Sequence, residues 1–115
     1  MIDSILWMDH EKAQLFKLKG TEIIVRHLHR HDPDHHTHVK SQDENVSPRF
    51  YKTLQAELNG ENKILVLGPG LAKKHFQSYL ENHFPDFAKK VVDYLTVDHP
   101  TERQIEAYFQ NGPIK

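Results

Sequence analysis

The sequence predicts an α/β fold built on a mixed five-stranded sheet, and three observations carry that expectation. Three short runs rich in strand formers lie close together near the start, at residues 5–8, 13–18 and 21–28. Polar or glycine turns separate them, the spacing of an antiparallel meander. Beyond residue 47, two further strand-like runs, at 63–67 and 91–97, alternate with three segments of helical period. A chain of 115 residues has room for one such domain and no second core.

Taken in order, Ile5-Leu6-Trp7-Met8 is the first strand, and Asp9-His10-Glu11-Lys12 is a polar turn. The second strand ends at Lys19-Gly20, and the third is β-branched at Ile23, Ile24 and Val25. A polar stretch follows at about 29–46, with Val39 and Val46 as its only plausible core residues. Loops of that length in small domains are commonly functional or disordered. Ser47-Pro48 is a helix start, with serine as cap and proline at the first helical position. Tyr51, Leu54 and Leu58 then recur at helical spacing until Asn59-Gly60 stops them.

Ile64-Leu65-Val66-Leu67 is apolar throughout, as suits a strand covered on both faces. Gly68-Pro69-Gly70 is a turn. The second helix, at 71–83, places Ala72, Phe76, Tyr79 and Leu80 on one side, and Pro85 breaks it. Thr101 with Gln104 fits a capping box for the third helix, where Ile105, Tyr108 and Phe109 follow; Gly112-Pro113 ends it. Trp7, Phe16, Phe50, Phe76, Tyr79, Phe84, Phe87 and Phe109 are expected in the core, and His75 and His83 on helix surfaces. The crossover rule makes the later strands parallel to the first and sets the helices on the faces of the sheet.

Composition narrows the function classes. The 15 Lys and Arg against 16 Asp and Glu leave a formal charge of −1, so bulk charge points to neither nucleic acid nor membrane. The absence of cysteine excludes disulfides, thiolate zinc sites, iron–sulfur clusters and a cysteine nucleophile. Ten histidines are the anomaly, and six of them fall between His27 and His38. Met1-Ile2-Asp3-Ser4 does not open a secretory signal. The longest apolar run is far short of the roughly 20 residues a membrane span requires. A soluble, cytoplasmic protein with no membrane partner is the expectation.

The element order resembles the ribonuclease-H-like architecture. Gly68-Pro69-Gly70, with Lys73, Phe76, Tyr79 and Leu80 after it, is similar to a segment of the central domain of Pelota and class-1 release factors. Trp7-Met8-Asp9-His10, the histidine-rich segment and Thr96-Val97-Asp98-His99-Pro100 resemble small bacterial relatives described as translational machinery proteins. The resemblance spans about residues 5–109 and implies a single release-factor-central-domain-like domain over 1–115. It also implies a role on the ribosome.

Release factors carry Gly-Gly-Gln in the loop before the first helix of this domain, where it positions water at the peptidyl-tRNA ester. The stretch 29–46 has no glycine, and Gln42 stands between Ser41 and Asp43. Without glycine the tight backbone turn is unavailable, so ester hydrolysis by that route is not expected. Pelota likewise lacks the motif, and the likeness therefore implies ribosome engagement without catalysis.

The histidine cluster supports two chemistries. If the third strand extends, His27, His29 and His31 share one face and could hold a divalent metal through imidazole nitrogen. Histidine-rich tracts also bind metal merely opportunistically. Read electrostatically, Arg26, Arg30 and Lys40 against Asp32 and Asp34 leave a local charge of +1. Protonating His27, His29, His31, His35, His36 and His38 would raise it to +7. Histidine titrates near pH 6.5, so this segment becomes basic on demand and suits contact with an RNA backbone. Arg49, which opens the first helix beside the loop, joins that set.

Other sites are weaker. A ribonuclease-H-type nuclease requires several carboxylates converging on two magnesium ions. Asp9 ends the first strand, but the central strand ends in Gly68-Pro69-Gly70, and Glu57, Asp93 and Asp98 are scattered. Asp9 reads as well as a turn residue bonding the backbone of the first hairpin. Gly68-Pro69-Gly70 opens a helix and could face an anion, with Lys73 and Lys74 near it, yet a plain tight turn and solvated lysines are the simpler reading.

The leading expectation is a non-catalytic accessory factor of translation. It would bind ribosome or tRNA through Arg26, His27, His29, Arg30, His31, His35, His36, His38, Lys40 and Arg49. The alternatives are a divalent-metal-binding protein using the histidines and an RNA hydrolase.

Overall fold

Five strands and four helices alternate along the chain in a computed structural model that describes residues 2–30 and 48–112. The strands are β1 (Ser4–Met8), β2 (Lys12–Lys19), β3 (Glu22–His29), β4 (Ile64–Gly68) and β5 (Val91–Thr96). The helices are α1 (Pro48–Leu58), α2 (Ala72–His83), α3 (Pro85–Ala88) and α4 (Glu102–Asn111). The sheet order is β3-β2-β1-β4-β5. β1–β2 and β2–β3 are antiparallel, whereas β1–β4 and β4–β5 are parallel. This is the predicted mixed sheet. The central strands β1 and β4 are buried along their whole lengths, which is why both read as unbroken apolar runs.

Alternation along each strand divides the core in two. Leu6, Met8, Ala13, Leu15, Ile64 and Val66 pack under α1, α2 and α3 through Tyr51, Leu54, Phe76, Leu80 and Phe87. Ile5, Trp7, Phe16, Leu65 and Leu67 face the other way, against Ile105 and Phe109 of α4. Two covered faces make a three-layer domain.

Local chemistry sets the ends. Gly20, at φ 65, and Gly60, at φ 101, supply positive-φ positions at the β2–β3 turn and after α1. The capping box of α4 is complete: Gln104 N–H donates to Thr101 Oγ1 at 3.1 Å, and Thr101 N–H donates to Gln104 Oε1 at 2.8 Å. The expected serine cap of α1 lies outside the described residues.

Four expectations are corrected. Among the described residues there are four helices, because Pro85 does not merely end α2 but starts the short α3 at its first position. Lys73 is not solvated. It is 4% exposed, and its Nζ donates to the Gly70 carbonyl at 2.7 Å, folding the side chain back over the helix start. His75 is half-buried, its ring tilted against that of His10 at 6.1 Å between centroids. Tyr79 and Phe84 pack on the core edge and are not fully enclosed.

Candidate functional site

The strand directions choose one edge of the sheet. β1, β4 and β5 are parallel, and β3 runs the same way because two antiparallel pairings separate it from β1. Four of the five strands therefore end together, at Met8, His29, Gly68 and Thr96. Open α/β sheets bind ligands outside the carboxyl ends of their parallel strands. The helices α1 and α2 start from this same edge, since each leads back to the start of the next strand. Arg49, Lys73 and Lys74 thus lie in the opening turns of helices that start from the edge that also carries His10, Lys12, His29, Arg30 and His99, and Asp9, Glu11 and Asp98 are the carboxylates of the same strand ends.

On the α4 face this edge contains a shallow cavity of about 170 Å³, lined by Trp7, Lys12, Gln14, His99 and Pro100. Trp7 is its floor. The indole N–H is shared between the carbonyls of Val97, at 3.1 Å, and Asp98, at 2.9 Å. His99 is stacked over the indole, with centroids 5.9 Å apart and planes 23° from parallel. Gln14 pairs with Trp7 on one side and with His27 on the other, and Lys12 pairs with His29. Directly opposed residues in antiparallel strands share a face with side chains in contact range. His27 and His29 therefore extend the cavity outward as one polar row.

The predicted contact residues divide between faces. His27 and His29 share the α4 face, as period two requires. Arg26 points to the opposite face, where its guanidinium pairs with Glu57 of α1 at 3.2 Å. Lys17 on that face also reaches α1 and beyond, bonding the Glu57 carbonyl at 3.0 Å and Glu61 at 3.6 Å. Arg49 is exposed in the first turn of α1. His31, His35, His36, His38 and Lys40 lie outside the described residues, as does most of the predicted 29–46 loop; β3 itself runs through His29.

For the metal reading, His27 and His29 are two imidazoles on one face, and the third, His31, is not described. Among the described residues no three His, Asp or Glu side chains converge as a metal-binding group. The same finding bears on a nuclease. Asp9 Oδ1 accepts from the amides of Glu11 and Lys12, both at 2.8 Å, and so holds the first hairpin. Asp93 pairs level with Leu65, well back from the strand ends. Burial, and secondarily the Lys74 charge, lower the Lys73 pKa from the ordinary lysine value.

Trp7, Lys12, Gln14, His99 and Pro100 were not among the predicted site residues. For Trp7, His99 and Pro100 the sequence signals were the Trp7-x-Asp9-His10 and Asp98-His99-Pro100 stretches; Lys12 and Gln14 lie outside both. The fold makes them one unit, because the parallel strands β1 and β5 end side by side around β4.

No family model matches the sequence, and no curated protein does. Solved structures do. Pelota from Archaeoglobus fulgidus superposes over 93% of this chain, with TM-score 0.65 and 17% identity. The archaeal translation termination factor aRF1 covers 95%, with TM-score 0.60 and 20% identity. An archaeal Pelota in a ribosome-bound assembly with ABCE1 covers 96%, with TM-score 0.58 and 17% identity. The chain spans about a third of the length of each of these proteins, from 30% to 33%. Among the described residues, no helix is long and apolar enough to cross a membrane. The likeness is one of fold: the described residues build a release-factor/Pelota-like domain.

Proposed function

We propose that this chain is a non-catalytic accessory factor of translation that binds the ribosome or tRNA. The observation that carries the reading is the likeness of fold, over 96% of the chain, to a ribosome-bound archaeal Pelota. The carboxyl-edge chemistry supports it: Lys12 is paired with His29, Arg30 follows β3, and Arg49 stands in the first turn of α1, on either side of the histidine-rich segment in sequence. Lysine and arginine there would contact phosphate, and the histidines of residues 27–38 would add charge as pH falls. The segment's lack of glycine argues against a Gly-Gly-Gln-like hydrolytic role.

Co-sedimentation of the full chain with ribosomes tests this. Binding should strengthen from pH 8 to pH 6 and weaken with salt. Deleting the 29–46 segment should abolish it. Association that ignores salt, pH and the deletion would sink the proposal.

A second reading, divalent-metal binding, is favoured by His27 and His29 standing on one face of β3. Titration calorimetry with zinc and nickel separates the two. Replacing the histidines by glutamine should remove metal binding, while RNA contact through Arg30, Lys40 and Arg49 should survive at high pH.

A further inference from the structure

Among the described residues β3 pairs only with β2, so its outer backbone groups face no strand. Such an edge is a template for pairing unless charge or a bulge blunts it. The C-terminal end of β3 carries His27 and His29, whereas Ile24 and Val25 are flanked by two unlike charges, Glu22 and Arg26. Ile24 is 49% exposed and Val25 is 46% exposed, large apolar side chains on adjacent positions of one open edge.

We propose that β3 is a self-complementary dimer edge. Two copies pair antiparallel about Ile24, extending the two five-stranded sheets into one of ten.

Geometry selects that register. A twofold axis that sets two strand edges side by side and antiparallel stands perpendicular to the sheet. Each face then continues into the same face of the second copy, so residues that oppose each other must both be odd-numbered or both even-numbered. The Gly20-Thr21 turn makes Lys19 and Glu22 the closing pair of the hairpin. Even positions of β3 therefore turn their N–H and C=O groups toward β2, and odd positions turn theirs outward.

Centring on Val25 sets Glu22 against Leu28 and Ile24 against Arg26. Centring on Arg26 sets arginine against arginine. Centring on Ile23 sets Glu22 against Ile24. Centring on Ile24 satisfies each position from Glu22 to Arg26 at once. Ile24 meets Ile24, and Ile23 meets Val25 with both backbones offering outward hydrogen bonds. Glu22 of each copy meets Arg26 of the other. Opposed apolar and opposed unlike-charged pairs both stabilise a sheet. Glu22 is exposed and makes no ion pair among the described residues. The Arg26 side chain is 61% exposed beyond its contact with Glu57, and a guanidinium has donors for both carboxylates.

Sedimentation equilibrium of the full chain, from low to high micromolar, tests the pairing. A monomer–dimer equilibrium is expected. Ile24→Lys should put two ammonium groups face to face and shift the equilibrium toward monomer by at least about tenfold. Glu22→Arg and Arg26→Glu should each weaken the dimer by roughly tenfold, and the double reversal should restore it, because the pair is then exchanged in place. These positions are exposed, and circular dichroism with thermal unfolding verifies that each variant folds. A chain that stays monomeric throughout overturns the proposal. So does a dimer indifferent to Ile24→Lys, or a double reversal that restores nothing.

Discussion

The imidazole of His99 lies stacked on the indole of Trp7, 5.9 Å between centroids, while the indole N–H is held by the carbonyls of Val97 and Asp98. The chain leaving β5 is thereby fastened to the end of β1, although β4 lies between the two strands. Trp7 is 3% exposed, and His99 is part of what covers it.

Trp7→Phe keeps most of the apolar volume but leaves the Val97 and Asp98 carbonyls without their donor. We expect a loss of about 1–2 kcal/mol in urea unfolding, the usual cost of a lost hydrogen bond with a small packing defect. His99→Ala should cost less than about 1 kcal/mol, since the stack is solvent-facing. It should nevertheless raise the acrylamide quenching of Trp7, the only tryptophan. Unchanged quenching would show that His99 does not cover the ring.

The two glycines of Gly68-Pro69-Gly70 are expected to respond in opposite ways. A Cβ at Gly68 would collide with the carbonyl oxygen of Met8 at the end of β1, whereas one at Gly70 meets nothing within 4 Å. Gly68→Ala must displace backbone and should destabilise by about 3 kcal/mol or lead to insoluble protein. Gly70→Ala should stay within about 1 kcal/mol of wild type. Denaturant midpoints of the two variants check the contrast.

This difference shows what the sequence could convey. Both glycines read as parts of one turn, because a backbone approach between non-adjacent segments leaves no local signal. The sheet was legible because its cause is local: period-two alternation in β2, β-branching in β3 and an all-apolar β4 each state their own burial. The capping box at Thr101 and Gln104 was legible for the same reason. The helix α3 was not, since a proline that starts four helical residues looks like one that ends the preceding twelve. The Trp7–His99 cavity was least legible of all. Its walls come from opposite ends of the chain and meet only through parallel crossovers, and spacing in sequence does not encode that meeting.

Lys73 gives a pH-dependent prediction. Its folded-state pKa is lowered by burial and by Lys74, so folding favours the neutral amine. Below the lowered value both states are charged and the folded state bears the desolvation cost. As pH rises from there toward the unfolded value near 10.5, the unfolded chain holds more protons and stability increases. The gap between wild type and Lys73→Met should therefore shift in favour of wild type as pH climbs through that window. Taking the difference removes the opposite contribution of Tyr94. Burial, with Glu81 nearby, raises that phenol's pKa and lowers stability once the unfolded tyrosine ionises above about 10.

Asp9 separates a structural carboxylate from a catalytic one. Its Oδ1 holds two amides of the β1–β2 turn. Asp9→Ala should cost about 1.5–3 kcal/mol, the range for hydrogen bonds to a charged acceptor, and Asp9→Asn clearly less. Thermal unfolding measures both. If Asp9 were instead a magnesium ligand of a nuclease, Asp9→Asn would abolish metal-dependent RNA cleavage at unchanged stability.

The division of basic residues between the two faces of β3 yields the last prediction, which rests on the proposed ribosome contact. Arg26 is tied to Glu57 on the α1 face, whereas Lys12, His27 and His29 line the α4 face beside the Trp7 cavity. A salt bridge this exposed contributes at most about 1 kcal/mol, so Arg26→Gln should leave the fold nearly as stable as wild type. Arg26→Gln should also leave ribosome co-sedimentation nearly unchanged. Combining Lys12→Gln, His27→Gln and His29→Gln removes one ammonium group and two imidazoles from a single face. That variant should weaken co-sedimentation severalfold at pH 6, lose less at pH 8, and show a shallower salt dependence than wild type. Equal losses from the two faces would mean that the α4 face has no special part in binding and that the contact lies elsewhere on the carboxyl edge.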